Sequence, residues 1–265
     1  MFVSVIIPAY KQEATIKKNV EAIYASMEKT RWDYEIIVVV DGFLDKTFEE
    51  ASKLQHPHLR VVGYPTNYGK GYAVRYGMAR ASGDYVAFID GGMEINANGI
   101  SLILEHMEWY NADIVVASKK HLASRVNMPF LRKFYSFGYH ALVRLLFGLK
   151  IKDTQTGLKV YKRKVLEDVL PRLLIKEYAF DIELLAVAQY LHHNRIFEAP
   201  VEINWDFKGS KFKGFLFMDP YIRKMLLDTL AVFYRLKILR YYDDENRRKW
   251  IYNEELQLKV NTGET

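Results

Sequence analysis

The sequence predicts an α/β fold: an open, mixed but mostly parallel sheet with helices on both faces, followed by C-terminal amphipathic helices. Three observations carry this. Short β-branched runs alternate with helix-like patterns through the first half of the chain, as repeated β-α-β units do. Several runs are apolar throughout, the pattern of strands buried on both faces. Each run also ends in a polar, turn-rich segment, and ligands on open α/β sheets sit beyond the carboxyl ends of the strands.

The runs are "FVSVII" (2–7), "YEIIVVV" (34–40), "LRVVGY" (59–64), "DYVAFID" (84–90) and "ADIVVAS" (112–118). Helical patterns fall between them near 13–29, 46–54, 71–81 and 98–110. The strand ends at 8–12, 41–45, 67–70, 90–94 and 118–125 are therefore expected to meet on one rim. In the second half, a helix near 129–147 precedes "KDTQTGLKVYKR" (152–163), a helix containing "YAFDIELLAVAQYL" (178–191) and a strand "RIFEAPVEI" (195–203). A last helical stretch near 218–240 mixes apolar and basic residues. The expected organisation is a domain at 1–213, amphipathic helices at 214–240 and a partly disordered polar tail at 241–265.

Composition narrows the partners. The chain has 265 residues, half of them hydrophobic, enough for one large domain. It has no cysteine, which excludes disulfides and thiolate zinc sites and fits a reducing compartment. The N-terminal "MFVSVIIPAY" lacks the basic start and cleavage site of a signal peptide. No uncharged apolar run approaches the ~20 residues of a bilayer span. A net charge of +6 favours an anionic partner: nucleic acid, a phosphate ligand or an anionic membrane. No nucleic-acid-binding module is present, so nucleic acid is not an expected partner.

Within the rim, Asp90 ends a buried strand in "FIDGGMEI". It suits one ligand of a hard cation such as Mg2+ or Mn2+, with Glu94 as another. The competing reading is a strand-exit turn with glycines at positive φ. Asp41 in "VVVDGFLDKT" reads either as a contact to a base or ribose or as an Asp-Gly turn with Asp45 capping the next helix. "NYGKGYAVRYG" (67–77) puts Lys70 and Gly71 at a helix start, where phosphate can meet backbone donors and a point charge. Arg132, Ser136, His140 and Arg144 form a stripe at spacing four, either a solvated face or a helix lying on a membrane. Asp181 and Glu183 begin a later helix, as dipole complements or as a general base or acceptor contact.

Taken in order, "VIIPAY", "VVVDG", "NYGKGYAVRYG", the "DGGME" segment, "DTQTGLKVYKR" and "FDIELL" resemble family 2 glycosyltransferases. These have a Rossmann-like nucleotide-diphospho-sugar fold of the GT-A type. The nearest subgroup is the dolichyl-phosphate mannose synthase-like and polyprenyl-phosphate glycosyltransferases, and the resemblance covers about residues 2–235. It implies that Pro8, Ala9 and Tyr10, with Gln12 in the same loop, meet the nucleotide. Asp41 contacts uracil or guanine, and Lys70 with Gly71 lies beside the nucleotide. Asp90 and Glu94 hold Mg2+ or Mn2+ on the diphosphate. Gln155, Thr156 and Gly157 pack near the donor and acceptor phosphates. Arg125, Arg132, Lys133 and Ser136 meet the lipid phosphate, and Asp181 takes the place of the base.

The implied activity is inverting transfer of a sugar from a UDP- or GDP-linked donor to a polyprenyl (dolichyl-type) phosphate. The protein would act as a peripheral protein on the cytoplasmic, inner face of an anionic membrane. The alternatives are transfer to a sugar hydroxyl, or a catalytically degenerate nucleotide-sugar binder. Four departures bear on them: "PAYKQE" in place of P-x-Y-N-E, Gly42 for the second acid of D-D-G, Gly92 for the second metal carboxylate, and no C-terminal transmembrane helices.

Overall fold

The computed structural model describes residues 1–92, 95–126, 130–203, 220–245 and 250–261, with the backbone alone at 130–135 and 221. The five predicted strands of the first half are present as β1 (Phe2–Ala9), β2 (Asp33–Asp41), β3 (Leu59–Tyr64), β4 (Tyr85–Ile89) and β5 (Ile114–Ser118). The helices between them are α1 (Ile16–Met27), α2 (Thr47–Ser52), α3 (Lys70–Ala79) and α4 (Gly99–Trp109). β6 (Arg125–Val126), α5 (Phe130–Phe147), β7 (Leu158–Lys162), α6 (Arg163–Val169) and α7 (Phe180–Tyr190) follow. The chain continues through β8 (Ile196–Pro200), β9 (Glu202–Ile203), α8 (Pro220–Phe233), β10 (Trp250–Asn253) and β11 (Leu258–Asn261).

Seven strands form one sheet in the order β3-β2-β1-β4-β7-β5-β8. β1 runs parallel to β2 and β4, β2 parallel to β3, and β5 parallel to β8. β7 alone is antiparallel to both neighbours, wedged between β4 and β5. The sheet is therefore mixed but mostly parallel, as expected.

Alternation along each strand feeds two apolar layers. Ile6, Ile37, Val39, Phe88 and Val116 face a layer completed by α3, α5, α7 and α8. Val5, Ile7, Ile36, Val38, Ala87 and Val115 face the other, completed by α1 and α4. On α1 the buried Ile16, Val20, Ile23 and Met27 recur every three to four residues, the period of one helical face.

The second half of "KDTQTGLKVYKR", to which the sequence reading gave no element, forms β7. Lys159 at its second position is fully buried, and only a distant acid makes that tolerable. The reading of the 241–265 segment is corrected. β10 and β11 pair as an antiparallel hairpin, and Tyr242, Leu256 and Val260 are buried in the same layer as α3 and α7. α8 is not a detached appendage either. Thr229, Val232 and Leu236 are buried, and the Thr229 Oγ1 lies 2.8 Å from the Tyr139 hydroxyl of α5. Residues 214–219, with Phe215, Phe217 and Met218 of the expected amphipathic stretch, lie outside the described residues. No helix among the described residues is long and apolar enough to cross a membrane.

Candidate active site

A cleft of about 980 Å³ opens where the carboxyl ends of β1, β2 and β4 meet the start of β7. β1 supplies Pro8, Ala9 and Tyr10, with Gln12 behind them, and β2 supplies Asp41. Lys70 enters at the N-terminus of α3, and Asp90, Gly91 and Gly92 follow β4. Gln155, Thr156 and Gly157 lead into β7. These are the residues the sequence assigned to donor and phosphates, now on one surface. Gly71 stands just behind them, where a Cβ would meet the Glu177 carbonyl oxygen at 2.8 Å.

Asp90 is the centre of this surface. The Lys70 ammonium lies 2.6 Å from its Oδ1 as an ion pair. Burial works to lower the Lys70 pKa, but Asp90 and then Asp181 outweigh it and hold the group above its ordinary value. The amide of Asp90 donates to the Gly157 carbonyl at 2.8 Å, which fastens β4 to β7 at the rim. A Cβ on Gly157 would overlap the Asp90 carboxylate, so only glycine lets the acid lie there. The strand-exit turn read at "DGG" is present at Gly91 and Gly92, but neither glycine has a positive φ. Gly91 is needed for close approach to the Pro8 carbonyl, 2.7 Å from its would-be Cβ. Gly92 is exposed, with no described atom within 4 Å of a would-be Cβ.

Asp41 is spoken for within the protein. Its carboxylate accepts from the backbone of Tyr68 at 2.8 Å and Gly69 at 3.0 Å, and from the Asn67 side chain at 2.8 Å. It thereby shapes the turn that presents Lys70, with Gly69 at φ 103° as that turn requires. The Asp-Gly turn is also present, since Gly42 has φ 86°. The N-cap of α2 is Lys46 rather than Asp45, which stands one residue earlier and accepts from the Thr47 amide at 3.0 Å.

Asp181 does not reach the cleft wall. Its carboxylate is buried beneath it and accepts from the Lys159 ammonium at 2.7 Å. Burial pushes Asp181 up and Lys159 down; their mutual attraction opposes both shifts, while the nearby Lys70 opposes the first and adds to the second. Lys159 also donates to the Thr156 carbonyl at 2.7 Å, so the buried pair braces the loop entering β7. In the same loop Asp153 accepts from the Lys119 amide at 3.0 Å and the Thr156 hydroxyl at 2.5 Å. Burial would raise Asp153, but Lys119 and then these bonds hold it below its ordinary value.

The acceptor-phosphate set is only partly assembled. Gln155 and Thr156 line the cleft. Arg125, exposed on β6, and Ser136 on α5 do not line it. The Ser136 carbonyl accepts from Lys120 at 2.9 Å, next to the cleft residue Lys119. Arg132 and Lys133 lie on α5, but their side chains, like the whole of Glu94, lie outside the described residues. Among the described residues no three acids or histidines gather as a metal site. A cation there would take Asp90 and draw its other ligands from diphosphate and water, a set Mg2+ or Mn2+ accepts.

Sequence reasoning passed over Lys119, Asn67, Glu177 and Tyr178, which also line the cleft. Lys119 follows β5 directly, so its strand-end position was a usable signal. Glu177 lies three residues before α7 and pairs with Lys224 of α8 at 2.9 Å. α8 thus abuts the cleft at its first turns and then exposes Leu227 and Leu230, followed by Tyr234 and Ile238 in the π-helical segment Tyr234–Ile238 that continues it. Phe137 and Leu145 are exposed on the neighbouring α5.

The family model for glycosyl transferase family 2 matches residues 4–170. A dolichyl-phosphate beta-glucosyltransferase of Dictyostelium discoideum is 33% identical over 231 residues, 81% of this chain and 70% of the relative. The Homo sapiens protein of that name is 29% identical over 229 residues, 80% of this chain and 70% of its own length. Among solved structures, glucosyl-3-phosphoglycerate synthase from Mycobacterium tuberculosis in complex with UDP matches with a TM-score of 0.66. It is 18% identical and covers 99% of this chain and 87% of its own. The same enzyme in complex with Mn2+, UDP-glucose and phosphoglyceric acid matches with a TM-score of 0.65 at 18% identity, over 94% of this chain and 83% of its own. With the GT-A fold and the family model both matched, the chain belongs to glycosyl transferase family 2 and is a glycosyltransferase.

Proposed function

We propose that this protein transfers glucose from UDP-glucose to a polyprenyl phosphate of the dolichyl type, with inversion at the anomeric carbon. The observation that carries the reading is the Asp90–Lys70 pair at the carboxyl ends of the strands, in a chain whose relatives are named dolichyl-phosphate beta-glucosyltransferases. An acceptor phosphate oxygen attacks the anomeric carbon, the bond to the diphosphate breaks, and UDP leaves. A phosphate monoester has a second pKa of about 6, so the acceptor is already anionic near neutrality and needs positioning more than a base. That suits a site in which Asp181 is buried against Lys159, and it gives the hydroxyl-acceptor alternative no support from Asp181.

Pro8, Ala9, Tyr10 and Gln12 form the nucleotide side, with Asp41 holding the turn that presents Lys70. Lys70 places a cation against the departing diphosphate. Asp90 would hold Mg2+ or Mn2+, with Glu94 assigned as its companion, and such an ion supplies charge stabilisation to the leaving group. Lys119, Gln155 and Thr156 form the acceptor side within the cleft. The apolar rows of α5 and α8, with Arg144, Arg223, Lys224 and Lys237 beside them, would rest on an anionic membrane surface, which puts the cleft next to a lipid-anchored acceptor.

The test is incorporation of labelled glucose from UDP-glucose into the organic phase with dolichyl phosphate and Mn2+ or Mg2+. Labelled lipid is expected. UDP-glucose binding or hydrolysis without lipid product would point to another acceptor. Lipid product from a GDP-linked sugar alone would overturn the donor assignment.

A further inference from the structure

Glu183 stands on α7, two residues after Asp181, and the proposed chemistry makes no use of it. It is fully buried, yet its carboxylate is surrounded by donors. Oε2 accepts the amides of Leu174 at 2.9 Å and Ile175 at 2.8 Å. Oε1 accepts the Tyr242 hydroxyl at 2.6 Å. Arg235 and Arg75 add positive charge nearby. Space-filling alone would be met by a leucine without the cost of burying a charge.

The two amides belong to the 173–178 segment, which runs directly into the cleft. The Lys176 carbonyl accepts the Tyr72 amide at 3.0 Å in the first turn of α3. It would stand 2.7 Å from a Cβ on Gly69, and the Glu177 carbonyl 2.8 Å from one on Gly71. The turn 69–71, with Lys70 at its centre, is therefore seated on this segment. Glu177 and Tyr178, the next residues, form part of the cleft wall. On the far side, Tyr242 belongs to the C-terminal segment and is fully buried.

We propose that Glu183 is a positioning residue: with Tyr242 it fixes the 173–178 segment, which seats Lys70 against Asp90 and sets Glu177 and Tyr178 in the cleft. The C-terminal segment thereby acts on the donor side of the cleft without touching it. This rests on reading the cleft as the nucleotide-sugar site.

The experiment compares Glu183→Ala, Glu183→Gln and Tyr242→Phe by amide hydrogen exchange of the free protein and by calorimetric titration with UDP. Glutamine can still accept both amides through its oxygen and donate to Tyr242, so it serves as the rescue variant. Glu183→Ala is expected to speed exchange at Leu174, Ile175 and Tyr72, and to weaken UDP binding on the order of tenfold or more. Glu183→Gln should return both readouts close to wild type. Should Glu183→Ala fail to fold, Tyr242→Phe carries the test, with the same amides loosened and UDP weakened by about threefold. Faster exchange at 174–175 with unchanged exchange at Tyr72, or with unchanged UDP affinity, overturns the proposal. If the wild-type protein binds no UDP, the donor reading falls, and exchange at Tyr72 alone decides whether Glu183 holds the turn.

Discussion

Replacing Gly157 by alanine tests whether the position of the Asp90 carboxylate governs the reaction. A Cβ there would lie 2.9 Å from the Asp90 Cβ and closer still to its Cγ and Oδ2, inside the 3.0 Å that real Cβ contacts keep. Gly157 has no positive φ, so the backbone accepts alanine and the strain falls on the acid. Restoring contact requires the carboxylate to withdraw by about 1 Å, which stretches the Lys70 pair from 2.6 Å to about 3.6 Å, beyond hydrogen-bond range. A misplacement of about 1 Å costs on the order of 10²-fold in rate, or about 2.7 kcal/mol of transition-state stabilisation. Overpacking should cost a further ~1–3 kcal/mol of stability, which is compatible with a folded protein. The assay is glucose transfer from UDP-glucose under saturating acceptor, alongside a thermal melt. A folded Gly157→Ala protein with wild-type rate and donor affinity would refute the placement of Asp90 at the reacting diphosphate.

Four further outcomes are expected. Gly92→Asp, which meets open space, should tighten Mn2+ binding in the presence of UDP by on the order of tenfold, read by calorimetry; unchanged affinity in a folded protein would show that position 92 does not face the ion. Lys159→Met strands Asp181 in the interior and should cost about 3–5 kcal/mol in chemical denaturation, while the double change with Asp181→Leu should recover most of it. Because the folded pKa of Asp153 is depressed, its contribution to stability is present above the ordinary 3.8 and lost as pH falls through the lower folded value. The stability gap between wild type and Asp153→Asn should therefore close in strong acid, measured as melting temperature against pH. Co-sedimentation with anionic vesicles should be strong at low salt, weaken at high salt, and drop in Leu227→Glu with Leu145→Glu; no binding at low salt would remove the membrane-docking reading.

What was legible in the sequence follows from how each element is buried. β1, β2, β4 and β5 are covered on both faces, so their apolar runs announce them without context. The polar ends of β2 and β4 located Asp41 and Asp90 for the same reason. β7 was hidden because a strand carrying Lys159 looks solvated until its partner, 22 positions on, is known. Asp181 read as a dipole complement or a base, not as a buried ion-pair partner, for the mirror reason. The β10–β11 hairpin escaped because its strands are four residues each and it buries only Leu256 in its turn and Val260 and Asn261 on β11, with no apolar run to announce it. Arg125 read as a phosphate ligand from its neighbourhood in the chain, but β6 pairs it opposite Glu202, away from the cleft lining.

The reversed direction of β7 has a consequence for how the protein is made. β4 and β5 are close in the chain but never touch in the sheet; β7 fills the gap between them. The amide of Asp90 is held by Gly157, at the entrance to that strand. During synthesis the first five strands leave the ribosome with a slot between β4 and β5, and the Asp90 amide lacks its Gly157 partner until the chain through Lys162 has emerged. Such a late, long-range insertion is slow compared with forming the neighbouring β-α-β units. A nascent N-terminal half thus carries an open slot, where a folding chaperone or a neighbouring nascent strand would find an unfinished edge.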